Sequence, residues 1–236
     1  MKRFALMHKT DDADASHTPS QELLAQMGAL IGGMGAAFVA GEGLQQTKLG
    51  ARVRFSRGTR TVTHGPFGGS NELVASLALI RVWSIDEAIE WASRLAAVAG
   101  DSEFYIGQVK EAWDLGFAPK PDGAPTRYLI FRKSDAKSEA GVEPAIQPVL
   151  DEMARAGVLQ AAERFEPSTA AVRLYVHKDR RTTVDGPFTE SKELIGGYCI
   201  VQVATREQAV EWATRLARVI CEYAPADRVE IDVRGL

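Results

Sequence analysis

Two short runs in this chain place a side chain capable of proton transfer at the start of the same motif. Asp185 opens the run Asp185-Gly186-Pro187-Phe188, and His64 opens the matching run His64-Gly65-Pro66-Phe67. A carboxylate can act as a general base or hold a ligand hydroxyl, and an imidazole can act as acid or base near neutral pH. The spacing therefore predicts acid–base chemistry at Asp185 and His64, although the two copies can no longer perform the same step.

Each of these residues also has an interpretation without chemistry. An Asp before Gly commonly begins a turn in which the carboxylate accepts backbone N–H bonds. A His at the same turn is explained equally well if the duplication relaxed the need for Asp. The other predicted site residues either line a ligand cleft or shape the loop and fill the core: Gly186, Pro187, Phe188, Phe67, Gly197 and Tyr198.

Motifs for metal and cofactor chemistry are missing from the sequence. There is no Cys-x-x-Cys and no His-Glu-x-x-His, so zinc has no evident ligand set. No Gly-x-Gly-x-x-Gly run follows a strand, and there is no P-loop or Gly-x-Ser-x-Gly elbow. We therefore expect neither a metal nor a cofactor.

The two runs belong to a longer internal repeat. Glu72-Leu73-Val74 and Glu90-Trp91-Ala92 follow the first run, and Glu193-Leu194-Ile195 and Glu211-Trp212-Ala213 follow the second in the same register. Such self-similarity indicates a tandem duplication. We predict a first repeat over residues 1–114, a linker rich in Pro and Gly over 115–126, and a second repeat over 127–236.

Each repeat is predicted to read strand–helix–strand–strand–helix–strand. In the first, residues 3–8 form a strand, a Thr18 cap opens a helix whose apolar stripe runs to Phe38, and 73–82 form a central strand. Capping boxes at 84–87 and 205–208 open the second helix of each repeat. The glycines of the first helix are predicted to mark close approach to the sheet: Gly28, Gly32, Gly33 and Gly35.

This element order predicts an α+β fold. Two helices on one face of a four-stranded antiparallel sheet form the ferredoxin-like arrangement, which leaves the other sheet face bare. Two ferredoxin-like βαββαβ repeats in one chain can pack bare face against bare face. We therefore predict an intramolecular pseudo-dimer, similar to a dimeric α+β barrel, with a cleft between the sheets.

Composition points to an ordinary soluble protein. Of the 236 residues, 45% are hydrophobic and 25% charged, which is usual for a globular domain. The net charge of −3 offers no electrostatic attraction to nucleic acid or to an anionic membrane surface. Cys199 and Cys221 are predicted to be free thiols in a reducing compartment, because no secretory signal is evident. We expect a cytoplasmic location.

The second run resembles a known family signature. It continues through Glu193-Leu194-Ile195-Gly196-Gly197-Tyr198 to Glu211-Trp212-Ala213, as in the DGPF proteins of the YCII-related family. The resemblance covers nearly all of the second repeat and, more loosely, the first. It implies a dimeric α+β barrel with Asp185 facing the interface cleft. Some relatives look like enzymes of aromatic degradation with a catalytic His–Asp pair, and others accompany extracytoplasmic-function sigma factors.

The chain departs from the family pattern at several positions. His64 replaces the signature Asp, and Ala75-Ser76-Leu77 stands where the second repeat has Gly196-Gly197-Tyr198. Relatives often carry a His in or near the first helix of each unit, but the second repeat has none, and His17 precedes the helix in the first. A His–Asp pair must therefore be assembled differently here or belong to one repeat.

Two function hypotheses follow. The first is a cofactor-independent small-molecule enzyme with isomerase- or lyase-type acid–base chemistry, in which Asp185 acts with or without His64. The second is a small-ligand-binding or regulatory module that contacts a partner such as an extracytoplasmic-function sigma factor. Both leave the ligand unidentified, and both allow further association into a homodimer.

Overall fold

A computed structural model describes residues 1–10, 18–68, 73–133, 142–177, 180–188, 194–224, 226 and 228–236. Over these residues the chain forms twelve strands and four α-helices. The strands are β1 Lys2–Thr10, β2 Phe38–Gly43, β3 Ala51–Ser56, β4 Thr59–His64, β5 Val74–Val82, β6 Ser102–Gln108, β7 Thr126–Lys133, β8 Leu159–Arg164, β9 Val172–His177, β10 Arg180–Asp185, β11 Leu194–Val203 and β12 Val229–Gly235. The helices are α1 Gln21–Met34, α2 Ile85–Ala99, α3 Glu143–Arg155 and α4 Arg206–Tyr223.

The described residues form two compact units, each with one six-stranded antiparallel sheet and two helices. The first unit draws on residues 1–43, 165–188 and 194–236, and its sheet has the order β10-β9-β12-β1-β11-β2. The second unit draws on residues 44–164, with the order β4-β3-β6-β7-β5-β8. The predicted α+β class is confirmed, and two such units are consistent with the ferredoxin-like pseudo-dimer.

Each sheet combines strands from both sequence repeats. In the first unit β1 lies between β11 and β12, with Met7 opposite Tyr198 and Asp232. In the second unit β7 lies between β5 and β6, with Phe131 opposite Leu77 and Tyr105. The expectation that each repeat forms its own four-stranded sheet is wrong. Strand alternation specifies which face is buried, but it does not specify which of two similar copies supplies the neighbour.

The start and end of α1 differ from the prediction. Ser20, not Thr18, is the N-cap, and its Oγ accepts a hydrogen bond of 3.1 Å from Leu23 N. The helix ends at Met34 because Gly35 adopts a φ of +51°. Phe38, predicted on the helical stripe, instead begins the edge strand β2.

The glycines of α1 do not lie close to the sheet as predicted. A Cβ atom added at any of the four would meet nothing within 4 Å: Gly28, Gly32, Gly33 and Gly35. The first three occupy the open side of the helix and Gly35 follows its end, so none of them reflects close packing against the sheet.

The capping boxes of α2 and α4 are confirmed. Ser84 Oγ accepts from Glu87 N at 3.1 Å, and Glu87 Oε2 accepts from Trp83 N at 3.0 Å. Thr205 Oγ1 accepts from Gln208 N at 3.3 Å. These bonds satisfy donors that the first helical turn leaves unpaired, and they fix where each apolar stripe meets its sheet.

Candidate functional site

The two signature runs form the same loop, one in each unit. Gly65 N donates to the Gly50 carbonyl at 3.1 Å, and Gly186 N donates to the Ala171 carbonyl at 2.9 Å. Both Gly–Pro peptide bonds are cis. A Cβ atom on Gly65 would collide with the Thr47 carbonyl, as one on Gly186 would with that of Ser168. Only glycine therefore fits the second position of either run.

Each loop is anchored by a buried phenylalanine that packs against an arginine. Phe67 and Phe188 are 7% and 8% exposed. The guanidinium carbon of Arg52 lies 4.3 Å from the centre of the Phe67 ring, and that of Arg173 lies 4.4 Å from the Phe188 ring. Such cation–π contacts strengthen when shielded from water, so the same arginine–phenylalanine contact stabilises both loops.

A buried cluster of charges lies beneath Phe188. Arg173 donates from Nε to Asp232 Oδ1 at 2.6 Å and from Nη2 to Oδ2 at 3.1 Å. Glu230 Oε1 lies 3.1 Å from Arg173 Nε, and Lys9 Nζ lies 3.6 Å from Asp232 Oδ2. Two cations and two anions balance one another, which buried charges require. Burial alone would lower the pKa of Arg173, but the hydrogen bond and charge of Asp232, with the charge of Glu230, raise the pKa above its usual value.

The second unit keeps part of this cluster and changes its centre. Lys133 Nζ lies 2.9 Å from Glu103 Oε1, and Arg52 Nε lies 3.9 Å from the same oxygen. Tyr105 is the cross-strand partner of Arg52, where the first unit pairs Asp232 with Arg173. The Tyr105 ring stacks on that of Phe131 with centroids 6.1 Å apart. The second loop therefore rests on aromatic packing in place of a buried carboxylate.

The predicted proton-transfer residues both end edge strands. Asp185 closes β10 with a side chain 75% exposed, and its Oδ1 lies 3.4 Å from Arg206 Nη1 at the start of α4. His64 closes β4 and is also exposed. Asp185 belongs to the first unit and His64 to the second, and their joint action stays a prediction. His17 and residues 189–193 of the signature lie outside the described residues.

The predicted irregularity at the paired glycines of β11 is present. The ladder between β1 and β11 shifts at Gly196, and a Cβ atom on Gly197 would lie 2.6 Å from the Glu42 carbonyl oxygen. Tyr198 is 6% exposed and stands opposite Met7. The glycines thus allow a bulge and a close backbone approach, as in other strands that contain glycine.

A groove in the second unit was not expected from the sequence. It has a volume of about 340 Å³ and lies between α3 and the strands β5 and β8. Its floor is formed by Ser76, Ala78 and Ala162, and Ile146 and Leu150 of α3 form one wall. Small residues on neighbouring strands, where β-branched residues are usual, are the sequence signal that could have revealed it.

One end of this groove is charged. Glu143 Oε1 accepts a hydrogen bond from Arg132 Nη2 at 2.9 Å and lies 3.5 Å from Arg164 Nε. The Arg132 side chain is 2% exposed, whereas that of Arg164 is 62% exposed. Two guanidinium groups therefore share one carboxylate oxygen.

The corresponding place in the first unit is occupied. Gly41 pairs with Cys199 on the first sheet, as Ala162 pairs with Ala78 on the second. The Phe38 ring approaches to within 3.3 Å of the position that a Cβ atom on Gly41 would take. Burial raises the pKa of the Cys199 thiol to about 12. The two units have thus diverged on their helix-bearing faces.

Comparison with known families gives one assignment. The model of the YCII-related domain matches twice, over residues 2–111 and 126–220. The chain belongs to the YCII-related family. No curated protein and no solved structure shows a significant match. In this YCII-related chain each family match contributes strands to both compact units, because β1 and β7 pair with strands of the other repeat.

Two further features concern the part of the chain that the structure describes. It contains no group of three or more His, Cys, Asp or Glu side chains arranged to hold a metal ion. None of its helices is both long and apolar enough to cross a membrane.

Proposed function

We propose that this YCII-related chain is a cofactor-independent small-molecule enzyme in which Asp185 moves a proton. The observation that supports the proposal is the anchoring of the loop that presents Asp185. Gly186 admits no side chain, and Phe188 is buried against Arg173, which is itself chelated by Asp232. A carboxylate presented from a fixed backbone can be held in one geometry toward a substrate, which proton transfer requires.

The proposed reaction is an isomerase- or lyase-type step. The Asp185 carboxylate accepts a proton from a substrate carbon next to a carbonyl group, and the C–H electron pair moves into that carbonyl to give an enolate. Return of the proton at another carbon completes an isomerisation, whereas expulsion of a leaving group from the β-carbon completes an elimination. The Arg206 guanidinium, 3.4 Å from the carboxylate, supports the proposal because it can hold an anionic group of the substrate.

His64 is proposed as a second proton-transfer group on the matching loop of the second unit. Its loop keeps the glycine and phenylalanine contacts, while the presented side chain changes from carboxylate to imidazole. The predicted cleft between the sheets and a combined action of His64 with Asp185 remain part of this proposal.

The test follows exchange of substrate protons with solvent deuterium. Libraries of small carboxylic acids and phenols are incubated with the protein in D₂O, and loss of C–H signals is followed by NMR. We expect Asp185→Asn to abolish exchange that the wild type catalyses, while Asp151→Asn on the exposed surface of α3 leaves it unchanged. Retention of exchange by Asp185→Asn in a folded protein would show that the base is elsewhere.

A second candidate function is a small-ligand-binding or regulatory module. It is favoured by the groove of the second unit, whose volume of about 340 Å³ lies within the range of ligand pockets, roughly 300–1,000 Å³. Neither Asp185 nor His64 lines that groove. In its regulatory form the proposal adds a protein partner, for which an extracytoplasmic-function sigma factor is the candidate. Co-purification of the two chains, with and without ligand, tests that addition.

A further inference from the structure

We infer that the groove of the second unit binds a small monocarboxylic acid with an apolar body, such as a medium-chain aliphatic acid. The inference rests on the second candidate function and is independent of chemistry at Asp185. It follows from the shape of the groove, the charge at one end and the difference between the two units.

The shape of the groove suits an apolar body. Leu95, Ile130, Ile146 and Leu150 line its inner side, and no side chain larger than Ser or Ala rises from the floor positions 76, 78 and 162. Burial of an aliphatic chain in such a space is favourable in proportion to the apolar area that leaves water. The volume of about 340 Å³ limits the ligand to a small molecule.

Strand alternation decides which charges lie on the groove face. Ser76 pairs with Arg164, and Ala78 pairs with Ala162, so these side chains share the face that carries α3. Glu163 pairs with Leu77, so alternation directs its side chain to the opposite face, although the residue is among those that line the groove. Among the described residues, the ionic side chains that meet on this face are therefore those of Arg132, Arg164 and Glu143, an excess of one positive charge.

The contacts at this end allow an anion to enter. Arg164 Nε is 3.5 Å from Glu143 Oε1, longer than a hydrogen bond, and the Arg164 side chain is 62% exposed. Arg132 Nη2 donates a 2.9 Å hydrogen bond to Glu143 Oε1. The Nε of Arg132 has no hydrogen-bond partner among the described residues. A ligand carboxylate can pair with Arg164 while Arg132 and Glu143 stay in place. The second positive charge favours an acid over an amine or an alcohol.

The first unit supports the assignment by contrast. There Phe38 packs onto Gly41 at the equivalent register, and Gly43 stands on β2 where Arg164 stands on β8. The first unit thus lacks both the open groove and the arginine, whereas the second unit has both. This coincidence is expected if they serve one ligand.

The test is calorimetric and NMR titration of the full-length protein with sodium octanoate, 1-octanol and octylamine, each below its aggregation limit. We expect octanoate to bind about tenfold more tightly than the alcohol or the amine. Arg164→Gln should weaken octanoate about tenfold and leave 1-octanol unchanged. Ala162→Leu fills the groove and should abolish binding of both.

Matched controls are available in the same unit. Arg155→Gln and Ala154→Leu make the same changes on exposed positions of α3 outside the groove, and both should bind octanoate as the wild type does. If octanoate and 1-octanol bind equally and Arg164→Gln changes neither affinity, the groove does not recognise a carboxylate and the inference is wrong. The second candidate function would still stand in that case. Absence of binding by all three probes, or binding unaffected by Ala162→Leu, would overturn the groove as a ligand site and with it the second candidate function.

Discussion

At the scale of single residues, glycine has two different roles in this chain. In the signature loops it allows the backbone to press against a carbonyl group, of Thr47 in the second unit and of Ser168 in the first. In α1 the glycines face open space and only reduce helix propensity. Replacement of Gly by Ala should therefore lower the free energy of unfolding in a signature loop and raise it in α1.

The first prediction compares Gly186→Ala with Gly28→Ala. Gly186→Ala should lower the free energy of unfolding by about 2–3 kcal/mol, because its Cβ collides with backbone that cannot rotate away. Gly28→Ala should raise it by about 0.5–1 kcal/mol through helix propensity. Urea denaturation of each variant measures both effects. A neutral Gly186→Ala would mean that the loop can move away from Ser168.

The second prediction concerns the two arginines under the loops. Arg173→Met should cost about 3–5 kcal/mol, because it leaves Asp232 and Glu230 buried without their main counter-charge. Arg52→Met should cost only about 1 kcal/mol, because its partner Glu103 is 28% exposed and 3.9 Å away. Equal losses in urea denaturation would indicate that the phenylalanine contacts, not the charges, dominate.

The third prediction follows from the raised pKa of Cys199. Burial raises this pKa from 9.0 to about 12, so folding favours the protonated thiol. Its contribution to stability is fully present below pH 9 and is lost as the pH rises from 9 toward 12. Between pH 9 and 11 the urea midpoint of the wild type should fall more steeply than that of Cys199→Ala. Parallel curves would show that the thiol does not ionise on unfolding.

At the scale of elements, α1 and α4 of the first unit differ in how firmly they are attached. Met34 is the one buried residue that the structure describes in α1, and the helix contains three glycines. Helix α4 buries Ala209, Ala213, Ala217 and other residues along its stripe and begins with the Thr205 cap. The free energy of local opening should therefore be lower for α1 than for α4.

Hydrogen–deuterium exchange tests this fourth prediction. Peptides from residues 21–34 should exchange well before those from 206–223 at pH 7, and α1 should gain protection in Gly28→Ala. Exchange at equal rates would mean that α1 opens only with the whole unit.

At the scale of the whole molecule, the exchange of strands makes the two repeats depend on each other. β1 is hydrogen-bonded on both sides by strands of the second repeat, and β7 on both sides by strands of the first. A repeat alone would lose all six described ladders that join it to the other repeat: β1 with β11 and β12, β2 with β11, β7 with β5 and β6, and β8 with β5. Unpaired backbone groups are costly when buried.

The fifth prediction concerns fragments cut within the linker, 1–120 and 121–236. Each fragment alone should lack the cooperative urea transition of the intact chain, and mixing them should restore it together with the circular dichroism of the intact protein. Cooperative unfolding of both separate fragments, unchanged on mixing, would show that each repeat can close its own sheet.

Much of the secondary structure was predictable because its signals are local. The strands β1 and β5 follow from short apolar runs, and the capped helices α2 and α4 follow from side chains three residues apart. The edge strands β2 and β8 were missed because Phe38 continued the helical spacing of α1, and the alanines of β8 have weak strand preference.

The sequence by itself determined the duplication, the α+β class, the family and the glycine-dependent loops that follow Asp185 and His64. These features depend on residue type and spacing along one stretch of chain. Only the tertiary structure decided that β1 and β7 cross between the repeats, that Arg173 is chelated beneath Phe188, and that small residues on β5 and β8 open a groove beside Arg164. The physical reason is that each depends on residues far apart in sequence, and two similar repeats offer nearly equal local choices for the same partner.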